Sequence, residues 1–259
     1  MGAMLFGLED FGQVLVVFVA AVLAGAGNAV AGGGTNLSFP ILVWAGLPPV
    51  EANATNAVGL SSGGMATAWS YRARIREAEP RWWWLMLPAL LGGGLGAWLL
   101  LALPPDWFAS IAPLLVITAA LLVAADPFLR RRIQIGGGDG FGGAMFWMFL
   151  ISLYGGYFGA GIGILTLVVL SFLGMDDLHR ANGFKSILAV VIKGVAVVIF
   201  IVQGMVIWGA AIVLLLGSLV GGWTTGHLIQ KVQAGTLRWM VVAMGLGMGV
   251  AMVVREYIL

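Results

Sequence analysis

Two stretches of this chain run too long without a charge to be single helices. Phe11 to Val50 holds 40 consecutive residues with no Asp, Glu, Lys or Arg, and Gly140 to Met175 holds 36. As one helix the first would reach about 60 Å, twice the hydrocarbon thickness of a bilayer. Each run must therefore turn back on itself. The turns are expected at the glycines, from Gly25 to Gly34 in the first run and from Gly155 to Gly163 in the second. Each run reads as a hairpin of two helices whose tip lies inside the bilayer. Irregular backbone at that depth is tolerated only where protein or water surrounds it.

The other charge-poor runs complete two sets of three spans. Residues 52–71, 82–105 and 107–125 follow the first hairpin (11–50), and residues 181–203, 205–226 and 237–254 follow the second (140–175). Residues 126–139 carry Arg130, Arg131, Arg132 and three glycines, and read as a cytoplasmic loop between a first repeat (1–125) and a second (140–259). Only 9% of the chain is charged against 61% hydrophobic. Such a chain cannot cover a globule with polar surface, which excludes a soluble enzyme, a disordered chain and a nucleic-acid binder. Cysteine is absent, so disulfides, thiolate metal sites and thiol chemistry are excluded. Met1 to Asp10 has no basic residue, and no cleavable signal is expected there. The fold class is all-α and polytopic.

The halves align with each other. At a shift of 129 residues Gly27 meets Gly156, Asn28 meets Tyr157, Asn53 meets Asn182 and Asn56 meets Lys185. Further on the shift is 125, and Trp83 meets Trp208 while Gly92 and Gly96 meet Gly217 and Gly221. A hairpin returns the chain to its starting side and three crossings reverse it, so the two repeats are expected to be inverted. Charge points the same way. With the loop of Arg72, Arg74, Arg76 and Arg81 in the cytoplasm, ten of the 13 basic residues fall inside. Both termini are then outside. Inverted repeats with broken helices near the midplane are a mark of secondary transporters.

Polar residues inside the spans are the candidate site. Lys193 lies about 15 Å from either end of its span, too far for easy snorkelling. An amine there faces a cavity or a partner. Asn182, Ser186 and Lys193 share one helical face with Lys185 nearby, a plausible anion site. The competing readings are surface anchoring for Lys185 and pairing with backbone carbonyls for Lys193. The hairpin tips come next, because a helix N-terminus offers free N–H groups and positive partial charge to an anion. Thr35, Asn36 and Ser38 open the first returning helix, Ile162 to Leu165 open the second, and Asn28 and Tyr157 precede them. The plainer alternatives are capping and close glycine packing. Asn53 and Asn56, one turn apart in the next span, mirror Asn182 and Lys185; interhelical hydrogen bonding is their alternative role. Trp82, Trp83 and Trp84 read as an interfacial belt, and Asp176, Asp177 and His179 as a solvated turn. No catalytic, metal or cofactor constellation is present, so neither an enzyme nor a cofactor is expected.

The glycine-rich stretch Ala24 to Pro40, then Gly46-Leu47-Pro48-Pro49 and Ala52-Asn53-Ala54-Thr55-Asn56, together with Ala181-Asn182-Gly183-Phe184-Lys185 in the second half, resembles the TauE/SafE family of sulfite exporters and toluene-sulfonate uptake permeases. The resemblance implies an inner-membrane transporter of small sulfur-containing anions such as sulfite, thiosulfate, sulfoacetate or other sulfonates, with export slightly favoured. Its partners would be that anion and the lipid bilayer. Proton coupling is suggested only by analogy, and a homo-oligomer stays open. Asn28, Thr35, Asn36, Asn53, Asn56, Tyr157, Asn182, Lys185 and Lys193 are expected to line the site. A passive anion channel and a membrane scaffold or assembly factor are the alternative readings.

Overall fold

The computed structural model describes residues 11–30, 33–70, 72–76, 78–133, 140–175, 178–228 and 234–258. They form α1 (Phe11–Val30), α2 (Thr35–Trp44), α3 (Pro49–Gly59), α4 (Ser61–Ser70), α5 (Arg72–Arg76), a 3-10 turn (Pro80–Leu85), α6 (Met86–Ala102) and α7 (Pro105–Ile133). The chain continues with α8 (Phe141–Tyr157), α9 (Ile162–Phe172), α10 (Leu178–Val202), α11 (Trp208–Leu228) and α12 (Ala234–Tyr257). No strand forms among the described residues. Among the described residues, five segments are long and apolar enough to cross a bilayer: Phe11–Asn28, Pro80–Ala102, Pro105–Phe128, Arg180–Val202 and Arg238–Tyr257. The architecture is that of an all-α polytopic membrane protein. Its outer surface carries Leu91, Trp98, Leu114, Leu121, Leu216 and Trp223 in exposed positions, as a lipid-facing surface requires.

Both charge-free runs fold back, and the arms of each hairpin are unequal. The arms α1 and α8 have 20 and 17 residues, while the returning arms α2 and α9 have 10 and 11. An arm of about 15 Å reaches halfway through the hydrocarbon core. The tip backbone satisfies the burial condition, with Gly33, Gly34, Gly159, Ala160 and Gly161 all shielded by protein.

Glycine decides how the long arms pack. Helix α8 lies along α6, and α1 lies along α11. A Cβ on Gly96 would meet the Leu153 carbonyl oxygen at 2.0 Å, and one on Gly156 would meet that of Gly93 at 2.0 Å. In the other pair, a Cβ on Gly221 would meet the Val22 oxygen at 1.9 Å and one on Gly25 the Ser218 oxygen at 2.2 Å. No side chain fits at such contacts, so backbones touch directly, which is how apolar helices associate without help from water. These contacts correct the register of the two long arms. Phe149 and Leu153 receive Gly92 and Gly96 as Phe18 and Val22 receive Gly217 and Gly221, a shift of 131. Gly25, not Gly27, is therefore the packing equivalent of Gly156, and Asn28 does not correspond to Tyr157. The stretch between the matched glycine and the returning helix is longer in the first hairpin, from Gly25 to Thr35 against Gly156 to Ile162.

Three further expectations change. Residues 126–133 are not loop but the last turns of α7. The span 52–71 is broken at Leu60 into α3 and α4. Trp82 is not part of an interfacial belt: it is 2% exposed and packs edge-on to Phe184, whereas Trp84 is exposed. The turn residues Asp176 and Asp177, like 134–139, lie outside the described residues, as does the His179 side chain.

Candidate functional site

The two hairpins meet through buried side chains. Leu37 of α2 and Ile164 of α9 share one buried cluster with Leu60 and Val123. Phe39 of α2 stands edge-on to Phe158 of the second tip at 5.2 Å, and Phe108 of α7 contacts both rings and that of Tyr157. Helix α3 ties the tips together. Asn53 Nδ2 donates to the Tyr157 carbonyl at 3.0 Å, and one turn later the Asn56 amide oxygen accepts from the Ser38 hydroxyl. Pairing asparagines one turn apart puts both on one face of α3, aimed at different hairpins.

The first tip is closed by its own polar side chains. Asn28 Oδ1 accepts the Gly34 N–H at 2.9 Å, and the N–H groups of Asn36, Leu37 and Ser38 go to the carbonyls of Gly33 and Gly34. The start of α2 thus has few donors left for an anion, and Asn28 acts as its cap from outside the helix. Thr35 is buried here too. Asn36 is the exception. It is 0% exposed, and neither its amide nitrogen nor its amide oxygen has a hydrogen-bond partner. It lies against α12, where a Cβ on Gly245 would sit 3.4 Å from the Asn36 Cβ. Buried polar groups are nearly always paired, so an amide unsatisfied at both ends marks a place where something else belongs.

The second tip is held by backbone conformation. Gly159 and Gly161 have φ of +80° and +73°, a region open to glycine and strained for most residues. Tyr154 latches the turn by donating its hydroxyl to the Ala160 carbonyl at 2.8 Å. No side chain caps the start of α9. Both lysines of α10 are laid along this tip. The Lys193 stem passes 3.5 Å from a Cβ position on Gly159, and that of Lys185 passes 3.4 Å from one on Gly163, in the first turn of α9. Lys185 Nζ also donates to Asn182 Oδ1 at 3.0 Å. The i,i+3 spacing of Asn182 and Lys185 makes that bond possible.

The nine expected residues therefore fall into two groups. Asn28, Thr35, Asn36 and Asn56 belong to the first tip; Tyr157, Asn182, Lys185 and Lys193 belong to the second, with Asn53 joining them. The open cleft of about 550 Å³ is elsewhere, between the α2–α3 turn, the start of α7 and the end of α12, and none of the nine lines it. Sequence reasoning missed Asp126. It is 0% exposed on α7, and Arg238 of α12 reaches its Oδ2 at 3.3 Å. Its position beside Arg130 to Arg132 made it look like part of a solvated linker. Tyr154 was missed as well, since a tyrosine in an apolar helix gives no sign that its hydroxyl closes a turn.

The chain is similar to known membrane proteins. The family model described as sulfite exporter TauE/SafE matches residues 17–252. A probable membrane transporter protein of Haemophilus influenzae is 26% identical over 92% of this chain and 93% of its own. A probable membrane transporter protein, ORF9, of a Sinorhizobium species is 30% identical over 82% of this chain and 81% of its own. The probable membrane transporter protein YfcA of Escherichia coli K12 is 27% identical over 88% and 84%. No solved structure matches the chain.

Proposed function

The chain belongs to the TauE/SafE family, and from that premise we propose that it is a secondary transporter moving a small sulfur-containing anion across the inner membrane by alternating access, with export slightly favoured. The observation that carries this reading is the placement of the two α10 amines along the second tip, beside a helix start that no side chain caps. A dehydrated oxoanion needs positive charge and N–H donors together. Lys185 and Lys193 supply the charge, Asn182 orients Lys185, and the buried amide of Asn36 supplies further polar contact from the first tip. Asn28, Thr35, Asn53, Asn56 and Tyr157 hold the two tips in place around that site. The two halves act as inverted repeats with both termini outside, which makes each hairpin the other's partner in the exchange of access. The family's name and the relatives' printed names support transport; sulfite, thiosulfate and sulfonates are the anions to try first.

The deciding experiment is uptake into proteoliposomes of sulfite, thiosulfate, sulfoacetate and a carboxylate control. Saturable flux that shows counter-transport supports the proposal, and linear flux without counter-transport would mean a channel instead. Lys185→Ala and Lys193→Ala should each lower flux at least about tenfold, the loss of roughly 1.4 kcal/mol of anion stabilisation. Flux unchanged in both variants would remove the lysines from the site.

A further inference from the structure

Thr166 of α9 carries a hydroxyl that the fold leaves without a bond. It is 0% exposed, and its Oγ1 has no hydrogen-bond partner. Other hydroxyls of the second half turn back to a carbonyl of their own helix: Ser152 to Met148, Ser171 to Val168 and Ser186 to Asn182. The sharpest contrast is with Ser38 on the other returning helix. Both returning helices run into a turn that holds a left-handed glycine, Gly46 at φ +93° and Gly174 at φ +75°. The Leu47 N–H reaches the Leu42 carbonyl at 3.1 Å, as the Met175 N–H reaches that of Leu170 at 3.2 Å. Counted back from that turn, Ser38 and Thr166 hold the same position. The Ser38 hydroxyl lies within reach of two acceptors, the Gly34 carbonyl and the Asn56 amide oxygen. Thr166 stands one turn after Gly163, and what lies beside Gly163 is a donor: Lys185 Nζ comes 3.9 Å from a Cβ position there. Leu167 and Leu170, which flank Thr166 on the helix surface, pack in one cluster with Phe184 and Leu188, so this face of α9 is turned toward α10.

We propose that Thr166 is a specificity contact of the anion site: its hydroxyl, the Lys185 ammonium and the first N–H groups of α9 converge on the three oxygens of an SO3 group. The proposal rests on the transport reading above and names the part of the substrate that the second tip recognises. A hydroxyl can accept from an ammonium, but these two are not bonded to each other, and an acceptor placed between them takes a hydrogen bond from each. Cβ positions three residues apart on a helix are about 5–6 Å from each other, a separation that one small oxoanion spans. The helix start supplies the third donor set. The Ile164 N–H goes to the Gly161 carbonyl at 3.1 Å, but those of Ile162 and Gly163 have no partner among the described residues. Donors at three separate points fit three oxygens set around one sulfur. Sulfite, thiosulfate and sulfonates share that head. A carboxylate is planar with two oxygens, so it leaves one buried donor unpaired, which costs affinity. Lys185 thus reads the charge of the anion, and Thr166 reads the shape of its head.

Methanesulfonate and acetate isolate the effect, because they share one charge and one methyl group and differ in the head. The purified protein, titrated with each while its thermal midpoint is followed, should bind methanesulfonate the more tightly. Thr166→Val keeps the shape of the side chain and removes the hydroxyl. It should weaken methanesulfonate binding roughly tenfold and acetate binding less than about twofold, while Thr166→Ser stays within about twofold of the parent for both. Without anion, the midpoint of Thr166→Val should equal or exceed the parent's, because a buried hydroxyl with no partner adds nothing to the fold. A parent that does not prefer methanesulfonate, an unchanged methanesulfonate affinity in Thr166→Val, or equal losses for both anions overturns the proposal. So does a lower anion-free midpoint in Thr166→Val that Thr166→Ser restores, for the hydroxyl would then be bonded within the fold. Flux separates this failure from that of the wider reading. An anion carried with the same KM by the parent and by Thr166→Val removes Thr166 from the site and leaves transport standing. No binding and no flux for any anion of the panel overturns the transport reading, and this proposal with it.

Discussion

The two hairpin tips each lead into a short returning helix, with different chemistry. In the first, an asparagine side chain reaches back to cap the returning helix, and glycine is needed for space: Gly34 has an ordinary φ of −58°, but a Cβ there would meet the Ala24 carbonyl oxygen at 2.4 Å. In the second, glycine is needed for conformation: Gly161 has φ +73° and nothing nearer than 3.6 Å to a Cβ. Both helix starts pair backbone N–H groups with the glycine carbonyl before them; the first tip adds the Asn28 bond to the Gly34 N–H, and the second adds two lysine stems beside it. Alike packing of the arms thus does not imply an alike site. The long arms, which only have to pack, do so in the same way; the tips do not.

That contrast can be broken in several ways. The largest effect is expected where the arms are alike. Gly156→Val and Gly25→Val each force a side chain into a backbone oxygen at about 2 Å, and both should cost about 4 kcal/mol or more. Detergent-solubilised yield of monodisperse protein should collapse in both; a collapse in only one would break the equivalence of the arms. Gly34→Ala comes next, at about 2–3 kcal/mol by overpacking, read as a fall in thermal midpoint. Uncapping is smaller. Asn28→Ala at the first tip and Tyr154→Phe at the second each remove one hydrogen bond and should cost about 1 kcal/mol, or a few degrees of thermal midpoint. The smallest effect separates space from conformation. Gly161→Asn should cost under about 1 kcal/mol, because asparagine accepts the left-handed region, whereas Gly34→Asn should be as damaging as Gly34→Ala. Equal thermal midpoints for Gly161→Asn and Gly34→Asn would show that the two glycines do the same job.

Much of the fold was legible because a membrane punishes exceptions. Forty residues without a charge must double back, and a glycine-rich stretch is where they can. The starts of α2 at Thr35 and of α9 at Ile162 were readable on that basis. Register was not. Glycines are so common here that Gly27 and Gly25 align equally well with Gly156, and only the carbonyl oxygens of the partner helix distinguish them. The site was legible as a list but not as an arrangement. Asn53 and Asn56 look like one polar stripe, yet each bonds to a different hairpin. Asp126 looked solvated because its neighbours in the chain are arginines, while its partner in space, Arg238, is more than a hundred residues away.

The sequence by itself determined that this chain lives in a bilayer, folds back twice, and carries two amines in a span where charge is costly. Those conclusions need only hydropathy and helix length, which are local quantities. Tertiary structure alone decided which side chains reach each tip, which glycines are filled by a neighbour's backbone, and that Asp126 of α7 meets Arg238 of α12. These depend on what comes within a few ångströms from the far half of the chain, and no property of a single segment encodes that distance.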